Sequence, residues 1–397
     1  MGSLLSMRQL ALPIPYGRQS ITDDDIKTVV ETLRSDFLTQ GPKVAEFERA
    51  FCDYTGARHA IAVANGTAAL HLSALALGVD STSRVITTPI TFAASANCVR
   101  YCGGNVTFAD IDPDTLLLKL ESLEQLLQTA PPGHFRGIIP VDFAGKPLPM
   151  DAFRTLADRH GLWIIEDACH ALGSHFTDSR GETQRCGNGR FADLTVYSFH
   201  PVKHITTGEG GMITTNCRDL YEKLLRLRTH GITKEPALLH QNPGGWYYEL
   251  QDLGFNYRMS DLQAALGISQ LRRANEGLRR RREIASRYDH AFHGTCIRTF
   301  PSPTDEGHAY HLYVVEVPER KRVYDGLRQR QIHAQVHYIP LHTMPYYQST
   351  GFQGGPLPAA ESYYTRALSL PIYPLLGEQE QDYVIDTLLR LCEGAVR

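Results

Sequence analysis

Lysine is scarce in this chain. Of 40 basic residues in a length of 397, only Lys27, Lys43, Lys119, Lys146, Lys203, Lys223, Lys234 and Lys321 are lysines, and the rest are arginine. The sequence also lacks a charge surplus: 40 basic against 43 acidic side chains leave −3, which excludes a basic surface for non-specific nucleic-acid binding. Its eight cysteines form no CxxC pair and have no histidine at zinc-ligand spacing, so they read as reduced thiols and no metal is expected. No run of about 18 apolar residues is present, and no secretory apolar segment opens the chain. A cytoplasmic enzyme or binding protein with neither a membrane nor a nucleic-acid partner is therefore expected. Finally, no GxGxxG follows a first strand and no GK[ST] closes a glycine loop, which excludes the usual dinucleotide and P-loop sites.

What is present is an ordinary folded composition, 42% apolar and 21% charged, long enough for two or three units at roughly 150 residues each. Helical spacing runs over 21–54 after the cap-like residues 22–25, interrupted near Gly41 and Pro42. Short aliphatic or β-branched runs follow at 60–64, 84–88, 106–109, 137–141, 162–165, 194–199 and 211–215, with helical stretches such as 68–77, 117–129 and 150–160 between them. This alternation predicts an α/β layer with a mostly parallel sheet covered by helices, and such sheets bind ligands at the carboxyl ends of their strands. Beyond it a long helical pattern covers 260–288. Its arginine run at 279–282 reads as a solvated helix face rather than a dedicated phosphate site. Strands at 311–317 and 332–338 and an amphipathic helix at 379–391 suggest a smaller α+β domain, giving expected domains of 14–265 and 266–397. Residues 304–308 and 348–358 read as surface loops.

Four features fall at strand ends. Asn65-Gly66-Thr67-Ala68 follows a strand and opens a helix, as an anion seat does; a turn with an N-cap has the same signature. Residues 164–170 end a buried strand in Glu166 and Asp167, with His170 three positions after Asp167. A carboxylate there can hold a protonated ring nitrogen, and the plainer alternative is a helix cap beside a packed histidine. Lys203 lies just past a buried strand in a turn of small and hydroxyl residues, where desolvation lowers an amine's pKa and makes it a nucleophile toward a carbonyl. Phe92 follows the strand at 84–88 and can stack on a flat ring or fill core. A phosphate seat, a ring-nitrogen partner, a stacking aromatic and one desolvated lysine together describe pyridoxal 5′-phosphate held as a Schiff base.

The motifs Asn-Gly-Thr-Ala-Ala-Leu (65–70), Thr-Phe-x-Ala-Ser-Ala-Asn (91–97), Glu-Asp-Ala-Cys-His-Ala-Leu-Gly (166–173), Ser-Phe-His-Pro-Val-Lys-x-Ile-Thr-Thr-Gly-Glu-Gly-Gly (198–211) and Gly-Phe-Asn-Tyr-Arg-Met-Ser-Asp-Leu-Gln-Ala-Ala-Leu-Gly (254–267) resemble the DegT-type nucleotide-sugar aminotransferases. The resemblance implies a fold-type-I pyridoxal phosphate aminotransferase. The stretches 14–19, 200–211 and 335–342 are most similar to the branch of pseudaminic acid biosynthesis, which implies transfer from L-glutamate to the C4 ketone of UDP-2-acetamido-2,6-dideoxy-β-L-arabino-hex-4-ulose. Other branches use other UDP-, GDP- or dTDP-keto sugars. By position, the resemblance makes Lys203 the Schiff-base lysine and Asp167 the partner of the pyridinium nitrogen, with Phe92 stacked on the ring and His170 beside its phenolic oxygen. Gly66, Thr67 and Ser198 would hold the phosphate with Asn256 of the partner subunit, in a homodimer with shared sites. Tyr16, Leu38, Thr39, His337 and Tyr338 would meet the sugar nucleotide. Asn65 stands where the family more often has serine, and Cys169 where it often has alanine; neither change removes a group the chemistry needs. One branch replaces the lysine by histidine and becomes a dehydratase, so Lys203 favours transamination over that reading and over a non-catalytic cofactor-binding sensor.

Overall fold

The aliphatic runs become seven strands of one sheet: β1 (His59–Val63), β2 (Arg84–Thr87), β3 (Asn105–Phe108), β4 (Gly137–Ile139), β5 (Trp163–Asp167), β6 (Leu194–Ser198) and β7 (Gly211–Thr215). The structure is a computed structural model, and it describes residues 13–300, 307–350 and 355–393. Strand order is β1-β7-β6-β5-β4-β2-β3; β7 runs antiparallel to both neighbours, and the other pairings are parallel. β4, β6 and β7 are buried or nearly so along their whole length, as expected where helices cover both faces.

Helices α1 (Asp23–Leu33) and α2 (Pro42–Thr55) split where proline and glycine foretold it. Thr22 and Asp25 form a reciprocal capping box on α1; α2 starts with proline at its first position and ends on Gly56 at φ 86°. Helix α3 (Gly66–Ala76) is apolar almost all round and is accordingly buried almost throughout. The Asn65 side chain caps it by accepting from the Ala68 amide at 2.8 Å, so the N-cap reading of that motif holds. Further on come α4 (Ala94–Tyr101), α5 (Leu120–Thr129), α6 (Met150–His160) and α7 (Arg218–Arg228).

The helical pattern at 260–288 is two helices, α8 (Asp261–Arg272) and α9 (Ala274–Phe292), broken at Arg273. At the start of α8 the buried Asp261 carboxylate accepts from the amides of Gly41 (2.6 Å) and Lys43 (2.8 Å), capping α2 from a distant point in the sequence. The arginine run departs from the expected solvated face. Arg281 is 1% exposed, and its Nη1 donates to the carbonyls of Tyr310, His311 and Ile372. One guanidinium thereby ties α9 to two later segments.

A second, antiparallel sheet orders β8 (Arg298–Thr299), β9 (Tyr313–Glu316) and β10 (Ala367–Leu370). Its core joins Tyr288 and Phe292 of α9 to Val315, Leu368 and Leu370, and to Val384 and Leu388 of the closing helix Glu378–Glu393. The strand expected at 332–338 is only Ile332–His333, pairing in parallel with Ile14–Pro15. After Gln335 bridges to Ser369, the chain leaves the ladder and carries His337 and Tyr338 into the cavity described below. Of the two expected loops, 304–306 and 351–354 lie outside the described residues. Among the described residues no helix is long and apolar enough to cross a membrane.

Candidate active site

The carboxyl ends of β1, β2, β4, β5 and β6 open on one cavity of about 460 Å³. Its wall includes Asn65, Gly66 and Thr67 after β1, Thr91 and Phe92 after β2, Asp167, Cys169 and His170 from β5 onward, and Ser198 and Lys203 at and after β6. Tyr16 comes from the start of the described chain, and His311, His337 and Tyr338 come from the second half.

Asp167 is the last residue of β5 and is 4% exposed. Its Oδ1 accepts from the Cys169 amide at 3.1 Å and its Oδ2 from the Ser95 hydroxyl at 2.6 Å. Ser95 spends its only proton there, so the Thr91 hydroxyl, 2.7 Å away, donates to Ser95 in turn. Among the described residues no cationic side chain lies within ion-pair distance of Asp167. A buried carboxylate with neutral donors and an open cavity in front of it is matched to a cationic N–H arriving with a ligand.

Lys203 sits in the turn after β6, closed by its amide donating to the His200 carbonyl at 2.8 Å. Burial pushes its ammonium below the ordinary lysine value, opposed by the neighbouring Cys169 and Asp167 and reinforced by the Arg281 cation. Near it stand imidazoles that burial keeps neutral. His170 and His311 are held well below the usual histidine value by burial first and by the Lys203 charge second, and His337 falls to about 4. His170 Nε2 lies 3.2 Å from the Tyr338 hydroxyl, while its buried Nδ1 has no partner. The His170 and His311 rings lie 4.3 Å apart between centroids.

At the β1 end, Asn65 satisfies the Ala68 amide, and helix geometry leaves those of Gly66 and Thr67 without an intrahelical acceptor. A Cβ on Gly66 would stand 3.0 Å from Ser198 Cβ and 3.3 Å from its hydroxyl, so glycine lets these two strand ends close on one another without crowding. Two amides at a helix N-terminus beside a serine hydroxyl fit a phosphate dianion. Phe92, 61% exposed, leaves a ring at the cavity's edge.

On the other face of β5, Glu166 turns away from the cavity. One oxygen of Glu166, one of Asp142 and the Cys186 sulfur, all buried, lie within 4.8 Å of one another. Glu166 Oε2 accepts from Thr195 Oγ1 at 2.7 Å and Asp142 Oδ1 from the Leu148 amide at 2.9 Å, while among the described residues no other group donates to the second oxygen of either. Burial raises both carboxyls, Asp142 well above the ordinary range with further upward push from Glu166. Burial and the mutual repulsion of the two carboxylates thus favour a proton held within the cluster.

The profile of one protein family matches residues 19–389. The chain belongs to the DegT/DnrJ/EryC1/StrS aminotransferase family. The spore coat polysaccharide biosynthesis protein SpsC of Bacillus subtilis is 39% identical over 391 residues, covering 96% of this chain and 98% of that protein. A UDP-4-amino-4,6-dideoxy-N-acetyl-beta-L-altrosamine transaminase of Campylobacter jejuni is 35% identical over 386 residues, with 96% and 98% covered. Helicobacter pylori PseC, an aminotransferase involved in pseudoaminic acid biosynthesis, superposes with a TM-score of 0.87 at 31% identity, over 96% of this chain and all of that one. This DegT-family chain is accordingly a pyridoxal-phosphate-dependent sugar aminotransferase of fold type I.

Of the residues expected from sequence, Lys203, Asp167, His170, Gly66, Thr67, Phe92, Ser198, Tyr16, His337 and Tyr338 line the one cavity. Asn256, Leu38 and Thr39 do not. Asn256 bridges to Thr229 and Thr39 to Ser260, while the Leu38 carbonyl accepts from the Asp261 amide, which groups them along the 254–261 segment beside β1. Sequence reasoning missed Ser95 and Thr91 as supports of Asp167, although both stood in the 91–97 motif. It also missed His311, which no local pattern marks.

Proposed function

We propose that the chain transfers the amino group of L-glutamate to the C4 ketone of a UDP-linked 4-keto-6-deoxy sugar, in the manner of pseudaminic acid biosynthesis. The observation that carries the reading is the pairing, in one cavity, of a desolvated lysine with a buried carboxylate that makes no ion-pair contact among the described residues. The substrate class rests on the names of the Campylobacter and Helicobacter relatives and on the 335–342 stretch.

Pyridoxal phosphate bound here supplies an electron sink and a carrier for the amino group. The residues do the rest. Gly66 and Thr67 amides and the Ser198 hydroxyl bind the phosphate. Asp167 Oδ1 and Oδ2, fixed by Cys169 and the Ser95–Thr91 pair, hold the proton on the ring nitrogen. Lys203 would hold the aldehyde carbon through its Nζ, and as a free amine that Nζ would take the α-proton of the donor and give it back on the same face; burial favours the neutral amine this requires. Neutral His170, tied to Tyr338, offers an N–H without adding a competing positive charge. Phe92 covers the ring, and Tyr16, His337 and Tyr338 face the sugar. Residues 14–265 would carry the cofactor and 266–397 would close over the sugar nucleotide. A homodimer would bring Asn256 of the partner subunit to the phosphate, and Leu38 and Thr39 would meet the sugar nucleotide.

The test offers purified protein, glutamate and pyridoxal phosphate a panel of UDP-, GDP- and dTDP-linked keto sugars, with the amino product read by mass. A 4-amino UDP sugar is expected, and a deoxy product or exclusive use of a dTDP sugar would overturn the substrate assignment.

A further inference from the structure

A second cavity, of about 370 Å³, shares no lining residue with the first. It lies between α2, α9 and the hairpin of strands His175–Thr177 and Thr183–Arg185, and its wall includes Tyr54, His175, Arg185, Asn275, Arg279 and Arg282. Three arginines therefore line one space, and among the described residues no aspartate or glutamate lines it. Arg279 is 3.6 Å from Glu283. Among the described residues, Arg185 and Arg282 have no carboxylate partner at all: Arg185 Nη1 donates to the Tyr54 carbonyl at 2.7 Å and Arg282 Nε to the His308 carbonyl at 3.0 Å. Arg282 Nη2 is buried with no acceptor.

Like charges brought together around a concavity repel, so the arrangement is complementary to an incoming anion. Guanidinium forks match the oxygens of phosphate two at a time. The volume exceeds that of a bare phosphate, and the Tyr54 ring and Leu278 offer apolar surface beside the cations.

We propose that this cavity is a binding site, separate from the reaction cavity, for a small molecule bearing a phosphate or diphosphate. Such a ligand bridges Arg185 on the hairpin to Arg279 and Arg282 on α9, and so clamps the helix that carries Arg281 to the cofactor-bearing sheet.

Isothermal titration of inorganic phosphate, pyrophosphate and UDP into the cofactor-loaded enzyme tests it. Pyrophosphate is expected to bind with a dissociation constant of about 0.1 mM or tighter, and the double variant Arg185→Ala/Arg282→Ala to weaken it by about tenfold or more. Cofactor content and kcat with the keto sugar should stay unchanged in that variant. Should the double variant fail to fold, Arg185→Gln alone, at an exposed position, is expected to lose severalfold in affinity. UDP binding that is additional to pyrophosphate, and retained when pyrophosphate saturates, locates the nucleotide in the reaction cavity; mutual displacement with the same arginine dependence places a nucleoside diphosphate in the second cavity. Absence of pyrophosphate binding at about 10 mM, or equal affinity in the arginine variants, overturns the proposal. Neither result bears on turnover, so it fails or stands apart from the substrate assignment.

Discussion

Glu166 and Asp167 are consecutive, nearly equally buried and chemically opposite in their surroundings. Alternation along β5 sends Asp167 to a cavity, where two donors and an open front prepare it for a ligand's cation. The same alternation sends Glu166 to the closed side, where its nearest acid is Asp142 and a proton is retained. Burial alone therefore does not set the role of an acid in this protein. What decides it is whether the counter-charge is to come from outside or must be carried as a proton within.

The comparison can be broken or sharpened at several points. Lys203→Ala, on the cavity side, should abolish turnover and the visible absorption of bound cofactor; a variant with full activity would remove the lysine from the chemistry. Asp167→Asn should lower kcat by about 100-fold or more while cofactor still binds. Glu166→Gln, which supplies a neutral donor in place of the retained proton, should stay within a few-fold of the parent, and a loss as large as that of Asp167→Asn would erase the distinction between the two faces. Ser95→Ala removes one donor from Asp167 and should cost about tenfold or more in kcat, in line with roughly 1.5–3 kcal/mol for a hydrogen bond to a charged acceptor.

The smallest effect is one of pH. The Asp142 and Glu166 carboxyls have folded pKa values raised above those of the unfolded chain, so the folded state holds a proton that the unfolded state releases above about pH 4. Their contribution to stability is complete below that pH and is lost as pH rises toward the folded values, at about 1.4 kcal/mol per unit for one proton. Melting temperatures of parent and Glu166→Gln should therefore diverge with rising pH in favour of the variant. A constant gap would show that no proton is retained.

Much of the site was legible because each part is local: one turn at the end of one strand carries Gly66 and Thr67, another Asp167 and His170, another Ser198 and Lys203. The sheet then brings the turns together, as parallel strands with helical crossovers must. The parts that escaped are those that tertiary packing alone creates. His311 reaches the cavity from the second half, and Arg281 is indistinguishable in the sequence from the other arginines of its run because what separates it is a set of three distant carbonyls. The strand expected at 332–338 shortened because the alternation that suggested it serves the cavity through His337 and Tyr338 rather than a ladder.

The reversed strand β7 has one more implication. It returns the chain from the lysine turn to lie directly between β6 and β1, with Gly211 paired to both Ser198 and Val63 and so close to the Asn65 carbonyl that a Cβ would stand 2.6 Å from it. The sheet thereby acts as a ruler. Two inter-strand steps of about 4.8 Å separate the end of β1, which leads into Gly66 and Thr67, from the end of β6, which leads into the lysine turn, and one more reaches Asp167. A molecule that spans these marks is measured by backbone hydrogen bonds before any side chain touches it, so loop changes can alter what is delivered to the site without altering the length it gauges.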